Sequence, residues 1–109
     1  MITCFITYEI DPFKKHLFAQ YAKNWGQAIP RCGADLIGYF APHEGSTTTA
    51  YGVYSLPSLA AYEDYKLRLA DDPLGKENYK FAAREGFIRR EDRIFLKCVS
   101  TPHLPMATL

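Results

Sequence analysis

From Gly33 to Pro73 the chain reads G-A-D-L-I-G-Y-F-A-P-H-E-G-S-T-T-T-A-Y-G-V-Y-S-L-P-S-L-A-A-Y-E-D-Y-K-L-R-L-A-D-D-P, and no other block constrains the fold as much. Asp35 to His43 has the character of a strand, Glu44-Gly45-Ser46 of a turn. Thr47 to Ser55 is a second strand, rich in the Thr, Tyr and Val that suit a pleated surface. After Pro57 the pattern switches abruptly to a helix. Ser58 caps it, and Leu59, Tyr62, Tyr65, Leu69, Ala70 and the stem of Lys66 form its apolar stripe. Asp72-Pro73 ends that helix and caps a shorter one running toward Gly86.

The flanking segments complete the order. Met1 to Glu9 alternates, with Ile2, Cys4, Ile6 and Tyr8 on one face and Thr3, Phe5, Thr7 and Glu9 on the other. Asp11-Pro12 starts a helix whose inward stripe is Phe13, Leu17, Tyr21, Trp25, Ala28 and Ile29, closed by Pro30 and Gly33. Ile88 to Val99 is the last strand, polar in its first half and apolar from Ile94. Residues 1–99 then form one domain, and 100–109 an extended tail with Pro102 and Pro105. The order is βαββαβ with an extra helical turn. It predicts an α+β, ferredoxin-like fold: one antiparallel four-stranded sheet, helices on one face, the first strand between the third and the fourth. In that topology Cys4 lies near the level of Cys98.

Helices cover only one face of such a sheet, and a face left in water should be polar. Here both faces carry apolar residues. The second strand sets Leu36 and Phe40 against Ile37, Tyr39 and Ala41, and the fourth sets Ile94, Leu96 and Cys98 against Phe95 and Val99. An exposed patch of that kind exceeds what soluble monomers usually tolerate. A second copy is the simplest cover, so a homodimer through the sheet faces is expected. The competing expectation is a tail or loop folded across the face.

Charge and cysteines exclude several classes. The net charge of +1 provides no cluster of Lys and Arg for nucleic acid. No run approaches the apolar length that a membrane helix needs, and Met1 to Ile10 lacks the form of a signal peptide, so neither membrane nor export is expected. Cys4, Cys32 and Cys98 are odd in number and widely spaced, which fits free thiols in a reducing cytoplasm.

At this point the residues carry a resemblance. T-Y-E-I-D-P at Thr7 to Pro12, G-x-x-L-I-G-Y-F at Gly33 to Phe40, Gly45, and Y-x-L-x-S-L-x-x-Y at Tyr54 to Tyr62 resemble NIPSNAP landmarks. So do L-x-x-D-P at Leu69 to Pro73 and I-F-L-K at Ile94 to Lys97. The resemblance runs from Met1 to Val99. It departs at Ile6, where such families often carry Arg, and in the third strand, which lacks their Trp. What it implies is a homodimeric α/β barrel serving as a small-molecule-binding or assembly module. The alternative, from the wider superfamily, is a cofactor-free monooxygenase or isomerase acting on an aromatic or ketone-bearing molecule.

His43 is the candidate catalytic residue, because a strand-end histidine beside a glycine-bearing turn can exchange protons near neutral pH. The competing account is a solvated turn residue. Trp25, Tyr39, Tyr51 and Tyr54 are candidate ligand-binding residues. Trp25 either packs in the core or roofs a pocket between the first helix and the sheet. The hairpin tyrosines either donate to a ligand or pack at the dimer seam. No metal is expected, since His16, His43 and His103 lack any ligand spacing, and no cofactor loop or fingerprint is present.

Overall fold

The computed structural model describes residues 1–100. The tail expected from Ser100 onward, His103 included, lies outside the described residues apart from Ser100 itself. Strand β1 is Ile2–Ile10, a 3-10 turn covers Pro12–Lys14, and helix α1 is Lys15–Arg31. Strands β2 (Asp35–Phe40) and β3 (Thr49–Leu56) follow, then helices α2 (Leu59–Asp71) and α3 (Pro73–Glu85), and strand β4 (Ile88–Lys97). The sheet is antiparallel throughout in the order β2-β3-β1-β4, so β1 lies between β3 and β4 as the topology requires. The fold is α+β and ferredoxin-like.

Local chemistry sets the boundaries. Asp11 accepts from the Phe13 backbone N–H at 3.0 Å ahead of Pro12, and Ser58 accepts from that of Ala61 at 3.1 Å. Asp72 ends α2 and caps α3, accepting from Gly75 N–H at 2.9 Å. Gly86 closes α3 with φ 62°, a left-handed conformation that other residues adopt only under strain.

Three expectations need correction. The helix after Asp72 is not an extra turn: α3 has 13 residues, as many as α2. Phe13 is not inward but 87% exposed, whereas Phe18 is fully buried. The 3-10 turn winds more tightly than an α-helix, so Phe13 stands out of phase with the stripe Phe18, Tyr21, Trp25, Ala28 and Ile29. Cys4 is paired with Phe95, while Cys98 donates its N–H to the Met1 carbonyl at 3.3 Å. The two cysteines are therefore three residues apart along the sheet, roughly 10 Å. All three cysteines are free.

The register assigns each paired strand residue a face. Toward the helices point the rows Tyr54–Cys4–Phe95, Gly52–Ile6–Arg93 and Ala50–Tyr8–Glu91. Away from them point Ser55–Thr3–Leu96, Val53–Phe5–Ile94 and Tyr51–Thr7–Asp92. On β2 the register shifts between Leu36 and Gly38, which leaves Ile37 and Phe40 exposed. The second face is thus apolar at its centre, with the rings of Phe5 and Tyr51 5.4 Å apart.

Candidate functional site

Between the helices and the sheet lies a cavity of about 170 Å³. Its floor is sheet: Ile6 and Tyr8 from β1, Tyr39 from β2, Tyr54 from β3. Its roof is Tyr21, Trp25 and Ile29 from α1 and Tyr65 and Leu69 from α2. Tyr62, Lys66 and Ala70 of α2, Tyr79 of α3, and Glu91 and Arg93 of β4 complete the wall. Tyr79, Lys66 and Ala70 are exposed and Arg93 is one-third exposed, so the cavity opens between α2, α3 and the edge strand.

The aromatic wall is tightly organised. Trp25 packs edge-on against Tyr21 on one side, with ring centroids 5.6 Å apart, and against Tyr79 on the other at 5.0 Å. Tyr54 and Tyr65 lie 5.3 Å apart. The hydroxyls of Tyr8 and Tyr39 share a hydrogen bond of 3.0 Å. This last contact depends on a glycine: a Cβ at Gly52 would stand 2.6 Å from the Tyr39 ring, so only a bare backbone lets that ring lie across β3.

Polar groups also line the cavity. Arg93 gives one N–H to the Tyr62 hydroxyl at 3.1 Å and another to Glu91 at 3.0 Å. Lys66 lies 5.1 Å from the Tyr62 ring centroid and 3.3 Å from Glu63. The Trp25 indole N–H and the Tyr65 hydroxyl are buried without a hydrogen-bond partner among the described residues. Burial pushes the Tyr21 phenol up to about 12 and raises those of Tyr8, Tyr39, Tyr54 and Tyr65 further. These hydroxyls therefore keep their protons at neutral pH. Each can both donate and accept a hydrogen bond, as the Tyr8–Tyr39 pair does.

Of the candidate residues, Trp25, Tyr39 and Tyr54 come together on this cavity. Tyr51 does not. Its register with Thr7 puts it on the opposite face of the sheet. His43 also stands apart. Strand β2 ends at Phe40 rather than at His43, and the histidine is exposed in the following loop. There it borders a shallow hollow with Phe40, Pro42, Glu44 and Tyr51. Arg93, Glu91 and Tyr79 were not foreseen. The polar half of β4 reads as solvated until its pairing with Ile6 and Tyr8 is known, and Tyr79 belongs to the helix whose length was underestimated. Among the described residues no group of His, Cys, Asp or Glu side chains is placed to hold a metal ion. No described helix is long and apolar enough to cross a membrane.

The chain matches the family model described as NIPSNAP over residues 3–102. Similar solved structures include a NIPSNAP family protein from Agrobacterium tumefaciens, 18% identical, with a TM-score of 0.76 over 95% of this chain and 94% of that one. A NIPSNAP domain protein from Burkholderia xenovorans is 22% identical, with a TM-score of 0.70 over 96% and 99%. A candidate antibiotic biosynthesis monooxygenase from Nitrosomonas europaea shares the fold at 9% identity, with a TM-score of 0.72 over 92% and 100%. At such identities these likenesses speak to fold alone. No curated protein matches the chain.

Proposed function

This chain belongs to the NIPSNAP family, and we propose that it is a homodimeric binding module whose tyrosine-lined cavity takes a small molecule built on a single ring. The observation that carries this reading is the cavity itself. Its volume of about 170 Å³ is close to that of an apolar protein cavity known to accept benzene, roughly 150 Å³. Its wall combines aromatic surface with a few polar groups, the usual composition of a small-ligand site. Two polar groups on it, the Trp25 indole N–H and the Tyr65 hydroxyl, have no hydrogen-bond partner within ordinary distance among the described residues. A ligand acceptor reaching either would give it one.

The dimer rests on the other face of the sheet. Ile37, Phe40, Tyr51, Ile94 and Leu96 are exposed there around the partly covered Phe5. A second copy laid face to face would bury them by two-fold symmetry. The oxygenase or isomerase alternative has less support, because His43, its proton-moving residue, stands in the loop away from the cavity.

Trp25 is the single tryptophan and stands in the cavity wall, so its fluorescence reports on occupancy directly. A panel of single-ring compounds, neutral and charged, should include members that change Trp25 emission and raise the melting temperature by mass action. If every member leaves both signals unchanged at millimolar concentration, the binding reading fails.

A further inference from the structure

Resting on the single-ring reading above, we propose that the ligand is a ring monocarboxylate of benzoate size, held with its carboxylate on Arg93 at the mouth and its ring among the tyrosines. The charged groups lining the cavity are Arg93, Lys66 and Glu91, two cations and one carboxylate. An anion of charge −1 balances them, whereas a cation would add to the excess. Lys66 also contacts Glu63 at 3.3 Å, but both of those side chains are largely in water, where such a pair is weak and exchangeable. Arg93 is the better anchor. It is fixed from two sides, by Tyr62 at 3.1 Å and Glu91 at 3.0 Å, and these bonds engage two of its five N–H donors. A guanidinium held in one orientation is suited to a planar carboxylate, which can take two parallel hydrogen bonds from it.

The wall around the ring supports the same class. The Trp25 indole donates only, and the buried phenols of Tyr8, Tyr21, Tyr39, Tyr54 and Tyr65 keep their protons. Glu91 is the only carboxylate acceptor on the wall, and Arg93 already bonds it. The phenols can accept as well as donate, but the Trp25 N–H and the Arg93 guanidinium can only donate, and these two favour a ligand that brings an acceptor. A ring ammonium ion brings none and adds a third cation to the wall.

The test ranks four probes of nearly equal size by Trp25 fluorescence and melting temperature at pH 7: benzoate, benzamide, toluene and benzylammonium. Benzoate is expected to bind tightest, by roughly tenfold or more over benzamide, the usual worth of a hydrogen bond to a charged group. Arg93→Gln should remove that preference, bringing benzoate down to the level of benzamide. Arg93→Lys should restore part of it, because the charge returns without the fork. Should the Arg93 variants not fold, the ranking on the natural chain decides alone. Equal binding of benzoate and benzamide, or tighter binding of benzylammonium, overturns the carboxylate class while the ring cavity stands. If none of the four binds, the cavity reading itself falls, and the proposal with it.

Discussion

At the scale of single residues, the site depends on a position that carries no side chain. Gly52 pairs with Tyr39 across β2 and β3, and the missing Cβ is what allows the Tyr39 ring to lie over the strand and reach Tyr8. Gly52→Ala places a methyl 2.6 Å from that ring. Because the neighbour is a large ring tied by a hydrogen bond, it cannot yield cheaply, and the variant should lose about 1–3 kcal/mol of stability by overpacking. It should also weaken binding of any ring ligand, since Tyr39 is displaced from the cavity wall. Denaturant unfolding measures the first effect and Trp25 fluorescence titration the second. A stable variant with unaltered binding would show that Tyr39 does not shape the site. Trp25 was legible in the sequence as an inward residue, and so were Tyr39 and Tyr54 as hairpin tyrosines. Which of them share a face was not. That depends on register, and a slip of one residue exchanges Tyr51 for its neighbours.

At the scale of elements, Asp72 joins three helices. It ends α2, caps α3 through the Gly75 N–H at 2.9 Å, and meets Arg31 of α1 with contacts of 2.8 and 2.9 Å. The sequence announces its capping role through the Asp-Pro pair. The ion pair with Arg31 is a consequence of packing and left no local signal. Asp72→Ala should destabilise the protein by about 1–2 kcal/mol, chiefly through the lost cap, because Arg31 is half exposed and an exposed partner adds little. Asp72→Asn keeps a side-chain oxygen for the cap and should lose less. The Arg31 guanidinium holds the Asp72 carboxyl below its ordinary value of 3.8. A depressed carboxyl stabilises the fold above its unfolded-state value and ceases to do so as the pH falls through the lowered one. The gap between the natural chain and Asp72→Asn should therefore be full above about pH 4 and shrink on further acidification. A gap independent of pH would remove the ion pair from the account. The neighbouring helix shows the limit of pattern reading. Its 13 residues include Gly75 and Asn78, which weaken a helical signal, yet both are buried contacts. Asn78 accepts from Asn24 at 2.9 Å and donates to the Tyr21 carbonyl at 3.0 Å, tying α3 to α1.

At the scale of the whole molecule, the two faces of the sheet do different things. The helix-side face is closed by a core and holds the cavity, whereas the other presents Ile37, Phe40, Tyr51, Ile94 and Leu96 to solvent. The conflict is visible in the sequence itself, because apolar residues fall on both sides of β2 and β4. What it left open was which residue belongs to which side. Register now puts Ile94 and Leu96 beside Phe5 and Thr3 on the outer face, and the irregularity at Leu36 to Gly38 leaves Ile37 exposed. A four-stranded face of this length spans roughly 500 Å². Only its centre is apolar, but the whole face approaches the area each partner gives to a standard interface, about 800 Å². A face-to-face dimer should therefore form at micromolar concentration and scatter light as twice the chain mass. Leu96→Glu and Ile37→Glu place a charge on the two edge strands of the face, β4 and β2. Both positions are already 41–46% exposed, so the folded monomer should accept the carboxylate with unchanged secondary structure and little loss of stability. Across the interface the same charge would be buried without a partner, a cost of several kcal/mol, and the mass should fall to that of one chain. Trp25 and the cavity lie on the far side of the sheet, so ring binding should survive in the monomer. If either variant unfolds instead, its side chain belongs to the core, and if both remain dimeric, the partner sits elsewhere.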